Sequence, residues 1–264
     1  MLPFFSIVTP THLRPQLLQR CLQSIRAQQS PVPFECIVIS DAVDPATDSV
    51  CSSLLGPLDT YIRRSGLPGP AISRNLALDV ARGHYVLFLD DDDAWHPGLL
   101  QQLADHPMVQ AGRFVYFNGT VVYERRPAHG PKELERADVD FNGQLNPLVY
   151  VRNQVHFSCY AFPRRLLERQ RFDPTLRAYE DWDFLLGVLK VEAPTHLAIL
   201  GSLIHEVSDE TTDRRGNSDL AEGISGALDY VYVYRKHPAP TANLKRVRAE
   251  FLKAYAFDID PGFL

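Results

Sequence analysis

Tyr85-Val86-Leu87-Phe88-Leu89-Asp90-Asp91-Asp92-Asp93-Ala94-Trp95 is an apolar run that stops in four consecutive acids, then meets an aromatic and the helix-starting His96-Pro97-Gly98. A short apolar run bounded in this way predicts a buried strand that delivers carboxylates to the edge of a sheet. Four carboxylates in a row repel one another by on the order of 1 kcal/mol per close pair near a surface, unless solvent or a cation answers them. A hard divalent cation is a natural answer, because such ions are held by one or two carboxylates together with phosphate oxygens. A solvated acidic turn after a strand would carry the same residues, and the tetrad alone does not choose between the two.

Upstream, the chain alternates. Phe4-Phe5-Ser6-Ile7-Val8-Thr9 reads as a first buried strand ending at Pro10, and Leu17, Leu18, Cys21, Leu22 and Ile25 then recur at helical spacing. A second buried strand from Phe34 to Ile39 ends in Ser40-Asp41, and Thr60 to Arg63 gives a short third. After the flexible Gly66-Leu67-Pro68-Gly69-Pro70, a helix from Ala71 carries Ile72, Leu76, Leu78, Val80 and Ala81 until Gly83 stops it. Strands separated by helices argue for a parallel sheet covered on both faces. In such sheets ligands bind outside the carboxyl ends of the strands. Thr11, Asp41 and the acids from Asp90 therefore share one rim.

Downstream, Pro97 to Ala104 reads as a helix, and Phe114 to Tyr123 as a hairpin turning at Asn118-Gly119. Residues 125–144 are charged with little periodicity, which predicts a mobile loop near the site. His156 to Phe162 is a further strand and Pro163 to Arg169 a short helix. In Phe172 to Asp183, three acids and two large aromatics, Tyr179-Glu180-Asp181-Trp182-Asp183, open a helix continued by Phe184, Leu185, Leu186, Val188 and Leu189. The helix dipole alone favours acids there; a carboxylate aimed at a substrate, with aromatics excluding water, is the other reading. His196 to Ile204 returns as a strand ending in His205-Glu206. Helices follow from Ser218 to Lys236 and from Thr241 to Tyr255. For the last, packing back on the domain is favoured over peripheral membrane contact through its basic Lys245, Arg246, Arg248 and Lys253, or over a homodimer seam.

With 27 basic and 32 acidic residues among 264, the net charge of −5 advertises no nucleic-acid surface. No apolar run reaches the roughly 18 residues of a membrane helix, and no basic n-region with a signal core opens the chain, so a cytoplasmic protein is expected, with an inner membrane face as the alternative setting. Cys21, Cys36, Cys51 and Cys159 lack CxxC spacing and are expected as buried free thiols. There is no Gly-x-x-x-x-Gly-Lys loop and no Gly-x-Gly-x-x-Gly after the first strand, so a nucleotide would be held in another way.

Together these residues resemble the inverting glycosyltransferase family 2, of GT-A fold. Ser6 to Thr11 with Arg14-Pro15 is similar to that family's opening strand and turn, and Glu35 to Asp41 to its second strand, with Ser40 in place of the first of two acids. Gly69-Pro70-Ala71, Arg74-Asn75 and Asp90 to Trp95 are similar to its glycine loop, Arg-Asn helix and Asp-x-Asp motif, and Glu180-Asp181 to its acceptor-side motif. The resemblance implies an α/β fold with a mostly parallel central sheet flanked by helices, a small antiparallel hairpin and a C-terminal helical appendage. It divides the chain into a transferase domain over 1–215, with a donor half at about 1–95 and an acceptor half at about 96–215, and an extension over 216–264.

By the same resemblance, a nucleotide-sugar donor lies at the rim. Asp41 would accept from the base with Thr11 packed beside it, Arg74 would meet base or diphosphate, and Asp90 the ribose or a metal-bound water. Asp91 is grouped with these donor contacts, although it and Asp93 could serve only to shape the turn. Side chains alternate along a strand end, so Asp90 and Asp92 would converge. Asp92 would hold a divalent metal, Mn²⁺ or Mg²⁺, with His205 as a second ligand. Asp181 would be the general base that takes the proton of an attacking hydroxyl on a carbohydrate or glycoconjugate acceptor, while Trp182, Tyr179 and the 125–144 loop exclude water. Two alternatives stand beside this reading. A sugar-phosphate nucleotidylyltransferase would carry glycines after its first strand, which Thr9 to Arg14 lacks, and a carbohydrate- or nucleotide-sugar-binding module would bind without turnover.

Overall fold

The computed structural model describes residues 2–127, 130–208 and 220–264. Strands β1 (Phe5–Thr11), β2 (Phe34–Ser40), β3 (Thr60–Arg63) and β4 (Tyr85–Phe88) alternate with helices α1 (Pro15–Arg26), α2 (Pro45–Leu54) and α3 (Pro70–Val80). After the tetrad come β5 (Ala94–Trp95), α4 (Leu99–Asp105), α5 (Pro107–Gln110), β6 (Val115–Arg125), β7 (Lys132–Val139) and β8 (Tyr160–Pro163). Helix α6 (Glu180–Leu189), β9 (Thr195–Val207), α7 (Leu220–Lys236) and α8 (Ala242–Lys253) complete the order. The sheet runs β3-β2-β1-β4-β8-β6-β9-β5, with β7 paired to β6. Its first four strands are parallel, and β8 joins them antiparallel to the long parallel β6–β9 pair.

The region from β1 to β4 is built by burial on both faces. All seven residues of β1 and all four of β4 are buried, as continuous apolar runs in a covered parallel sheet should be. Leu17, Leu18, Cys21, Leu22 and Ile25 form the buried stripe of α1. Close approach explains Gly83, where an added Cβ would fall 2.5 Å from the Ser6 nitrogen. Helix α2 carries a start signal that the apolar periodicity did not reveal: Asp44 caps it, accepting from Ala46 N and Thr47 N, with Pro45 in the first turn. All four cysteines are free and buried.

The second half differs from the sequence expectation in several places. Asn118-Gly119 is no turn: β6 passes straight through it, because Gly119 is paired on both sides, with Val139 of β7 and Ser202 of β9. The register shifts from Phe117 to Gly119, so the pair makes an irregularity in a strand, where Asn118 Oδ1 accepts from Phe141 N at 2.9 Å. The antiparallel hairpin is β6 with β7, and β7 lies inside the segment expected as a loop. Its charged, exposed side chains hid it, and such charges are what a sheet edge needs to resist further pairing. The strand expected from His156 begins only at Tyr160, and the helix expected after it is a single 3₁₀ turn, Arg164–Leu166. Strand β9 runs on to Val207, so His205 lies within it rather than past its end.

The C-terminal helices pack back on the domain. Arg248, expected on the basic outer side of α8, is fully buried and donates to the main-chain oxygens of Tyr150, Tyr234 and His237. The start of the helix expected at Ser218 and the boundary expected at 215/216 lie outside the described residues. Among the described residues, no helix is long and apolar enough to cross a membrane.

Candidate active site

Strand β4 ends at Phe88, and the acids form a turn closed by Asp93 N donating to Asp90 O at 3.0 Å. Strand alternation therefore does not extend through the tetrad, and the four carboxylates fan toward different partners. Asp90 Oδ1 accepts from Arg74 Nη2 at 2.6 Å. Asp91 is fully buried, accepting from Thr11 Oγ1 at 2.6 Å and from the Arg14 guanidinium on both oxygens. Asp92 Oδ2 accepts from Arg14 Nη1 at 3.1 Å and Arg126 Nη1 at 3.3 Å, and its main-chain oxygen from Arg20 Nη2. Asp93 accepts from His205 N at 2.9 Å, with His156 Nδ1 at 3.7 Å from its other oxygen. In the chain alone, the repulsion expected in the tetrad is answered chiefly by guanidinium groups from α1, α3 and the end of β6.

These environments push like residues apart. Burial alone would raise the Asp90 carboxyl, but the Arg74 guanidinium beside it holds it below the usual carboxylate range. Burial raises Asp91 and Asp93 in spite of Arg14 and His156 respectively.

Across the cleft, Glu180 and Asp181 occupy the first turn of α6. The N-cap Tyr179 adopts a left-handed conformation (φ 63°), unusual for a residue with a Cβ. Arg74 reaches this side too. Its Nη1 donates to Glu180 Oε1 at 2.8 Å, and its guanidinium carbon lies 5.6 Å and 5.4 Å from the ring centroids of Phe157 and Phe172. Asp181 takes a different share: its Oδ1 accepts from Trp182 N at 2.7 Å, and burial raises its carboxyl, with Arg74 pulling the other way without prevailing. Burial raises Glu180 as well.

Trp182, expected to wall the cleft, is instead fully buried, donating from Nε1 to Val149 O at 2.7 Å and packing on Tyr230 and Tyr234 of α7. The C-terminal helices thereby support this loop from behind. Asp183 pairs with Lys236 Nζ and His237 Nε2, both at 2.8 Å. Asp229 accepts from Arg177 N and Ala178 N, and the Tyr230 ring lies 4.2 Å from that of Tyr179.

At the third point of the rim, Asp41 Oδ1 pairs with His12 Nδ1 at 2.5 Å, and Asp41 Oδ2 accepts from Gly69 N at 2.7 Å and Arg64 Nη2 at 3.3 Å. Gly69 has φ 148°, a conformation glycine tolerates, which turns its N–H onto the carboxylate. His12 lines a cavity of about 870 Å³ bounded by Leu67, Pro68, Pro70, Ile72 and Leu176.

Among the described residues, no three His, Cys, Asp or Glu side chains cluster to hold an ion. Asp92 and His205 remain as two donors that fit a metal bound jointly with a ligand. The Asp92 carboxylate is one-quarter exposed. His205 Nδ1 is buried without a hydrogen-bond partner, and burial together with Arg20 pushes its imidazole down to about 4, leaving it neutral. The sequence reading gave no role to Arg20, Arg126 or His156. Arg14 was visible in its Arg-Pro turn, whereas Arg126 sits in a charged stretch without a distinguishing pattern.

Comparison with solved structures defines the fold class as GT-A. The structure of S. aureus TarS 1–349 in complex with UDP matches with a TM-score of 0.61 at 18% identity, over 96% of this chain and 72% of that one. The mannosyltransferase PcManGT from Pyrobaculum calidifontis, in complex with GDP-Man and Mn²⁺, matches at 0.57 and 20% identity over 97% and 74%. WcaA of Escherichia coli (strain K12), a glycosyl transferase provisionally assigned to colanic acid biosynthesis, is 27% identical over 245 residues, covering 89% of this chain and 81% of its own. The model of "Glycosyl transferase family 2" matches residues 6–169. The chain belongs to that family and is a glycosyltransferase.

Proposed function

We propose that the chain moves a sugar from a nucleoside-diphosphate sugar to a hydroxyl of a carbohydrate or glycoconjugate acceptor, with inversion at the anomeric carbon. The observation that carries this reading is the opposition of Asp90 and Asp181 around Arg74. One carboxylate is held ionised beside the guanidinium, and the other is desolvated and raised, which suits a general base. The UDP and GDP-Man complexes of the structural neighbours and the colanic acid assignment of WcaA support the donor and acceptor classes.

In this mechanism Thr11, Asp41, Asp90 and Asp91 shape the donor side of the rim, and Arg74 holds it in register with Glu180. The acceptor oxygen attacks as its proton passes to Asp181, and the bond between the anomeric carbon and the diphosphate breaks on the opposite face. An α-linked donor would then give a β-linked product. Asp92 and His205 would hold a divalent ion, Mn²⁺ or Mg²⁺, which would supply charge stabilisation to the leaving diphosphate. Arg14 and Arg126 set the charge around Asp92.

Release of nucleoside diphosphate from UDP-, GDP- and dTDP-sugars, with and without acceptor, tests the reading. Asp181→Asn should lower turnover about 10²- to 10⁴-fold while leaving donor binding intact. Normal turnover in that variant would remove Asp181 from the mechanism. Donor binding without transfer or hydrolysis across an acceptor panel would point to a binding module instead.

A further inference from the structure

The base end of the donor site departs from what the position of Asp41 suggests. Asp41 sits at the tip of β2, where direct contact with a nucleotide base was expected, yet its side chain is only 1% exposed. Both of its oxygens are engaged, one by His12 and the other by Gly69 N and Arg64. The His12 side chain is 34% exposed and lines the cavity at the rim. That cavity is largely apolar, with few polar groups to orient a ligand, as small-molecule sites generally are.

On the reading that this rim binds a nucleotide donor, we propose that His12, held by Asp41, recognises the base. Asp41 is then a positioning residue that acts through the imidazole. A carboxylate can only accept, so it keeps the proton of a neutral imidazole on Nδ1. Nε2, across the ring, then carries the lone pair on a side chain that is one-third exposed and lines the cavity. A lone pair there accepts from a base with a ring N–H, which uracil, thymine and guanine possess at their pairing edge. Cytosine and adenine present a ring nitrogen with its own lone pair at that edge, and two acceptors repel. Pro68, Pro70 and Ile72 offer an apolar surface to any base, and of the polar side chains lining the cavity, His12, Thr175 and Arg177, the imidazole is the one whose proton is fixed by a buried carboxylate.

The arrangement of Asp41 supplies an unusual test. In Asp41→Asn, the oxygen facing Gly69 N and Arg64 can remain an oxygen while the amide NH₂ takes the place of the oxygen facing His12. The amide then donates to Nδ1, the imidazole proton moves to Nε2, and the ligand meets a donor instead of an acceptor. Asn could form the same bonds to Gly69 and Arg64, so loss of the fold is not expected to account for the change.

Calorimetric binding of UDP, GDP, CDP and ADP to the full chain and its variants, at about pH 8, reads the outcome. The unsubstituted chain should bind UDP or GDP at least about tenfold tighter than the matching CDP or ADP, the order of about 1.4 kcal/mol. His12→Phe, which keeps a ring but removes both nitrogens, should bring that ratio to within about twofold. Asp41→Asn should abolish or reverse it, and adding it to His12→Phe should change nothing further, since the two residues act as one unit. If His12→Phe keeps the ratio while Asp41→Asn loses it, Asp41 reads the base directly and the inference fails. If no nucleoside diphosphate binds, the donor reading fails as well, so the two failures are distinguishable.

Discussion

Asp90 and Asp181 are the same residue type in one cleft, both within the influence of Arg74, and they are held in opposite ways. Asp90, at the end of the β4 turn, receives Arg74 Nη2 directly and stays below the ordinary carboxylate range. Asp181, one residue beyond the Glu180 that receives Arg74 Nη1, has a single main-chain donor and is raised by burial. The difference extends to the supporting structure. Asp90, Asp91 and Asp92 are answered by long guanidinium side chains reaching over from α1, α3 and the end of β6. Glu180, Asp181 and Asp183 lie on a short helix braced by α7. Direct pairing with the guanidinium thus keeps Asp90 low, whereas Asp181, which Arg74 influences through its charge alone, is left raised by burial.

Removing the shared cation is the strongest way to break that contrast. Arg74→Met leaves Asp90 and Glu180 without their partner in a buried setting, where loss of one member of a pair costs about 3–5 kcal/mol. One-third exposure of the Asp90 side chain puts the expectation at the low end, about 3 kcal/mol. Denaturant unfolding checks it, and an unchanged midpoint would mean that the two sides are not joined through Arg74. The next effect is on pH. On the proposal that Asp181 is the general base, which works unprotonated, turnover should fall as pH drops through its raised pKa. The acid limb of the kcat profile should therefore lie above the ordinary aspartate value of about 3.9. Because Arg74 pulls the Asp181 pKa down, Arg74→Met should move that limb to higher pH. An acid limb at the ordinary value in both proteins would detach Asp181 from proton transfer.

How much of this was readable in advance follows from the range of the forces. The parallel part of the sheet was legible because β1 and β4 are covered on both faces and read as unbroken apolar runs ending in polar tips. The buried stripe of α1 was legible for a similar local reason, helical period. Strand β7 was not, since an exposed edge strand carries the composition of a loop. Nor was the course of β6, where Asn118-Gly119 has the chemistry of a turn and only the flanking strands keep it extended. The site divides in the same way. The positions of Asp41, Asp90 and Asp181 at strand tips and a helix start are local facts. Their partners are not: Arg14 lies 77 residues from Asp91, and Arg126 34 residues from Asp92. Asp41 was visible as a strand-tip acid, but its turn toward His12 depends on Gly69, on a loop beyond the next strand.

The smallest expected effect tests whether α7 is electrostatically tied to the loop before α6 or only packed beside it. Asp173 accepts from Thr175 Oγ1 at 2.6 Å, Tyr232 OH at 2.9 Å and Lys236 Nζ at 3.1 Å, the last two from α7. Its partial burial would raise the carboxyl, but Thr175, Lys236 and Tyr232 hold it well below the usual range. A depressed folded pKa means that the unfolded chain binds the proton first. The stabilisation is therefore present above the unfolded value of about 3.9 and is lost as pH falls below it. Because its charged partner Lys236 is 40% exposed, screening limits the contribution to about 0.5–1 kcal/mol. Asp173→Asn should lower stability by that amount near neutrality and converge with the unsubstituted chain as pH falls below about 3.9, with nucleotide affinity unchanged. Thermal melts across that window would decide it. If the two proteins lost stability in parallel, the tie from α7 to α6 and the loop before it would rest on Asp183 and Asp229 rather than on Asp173.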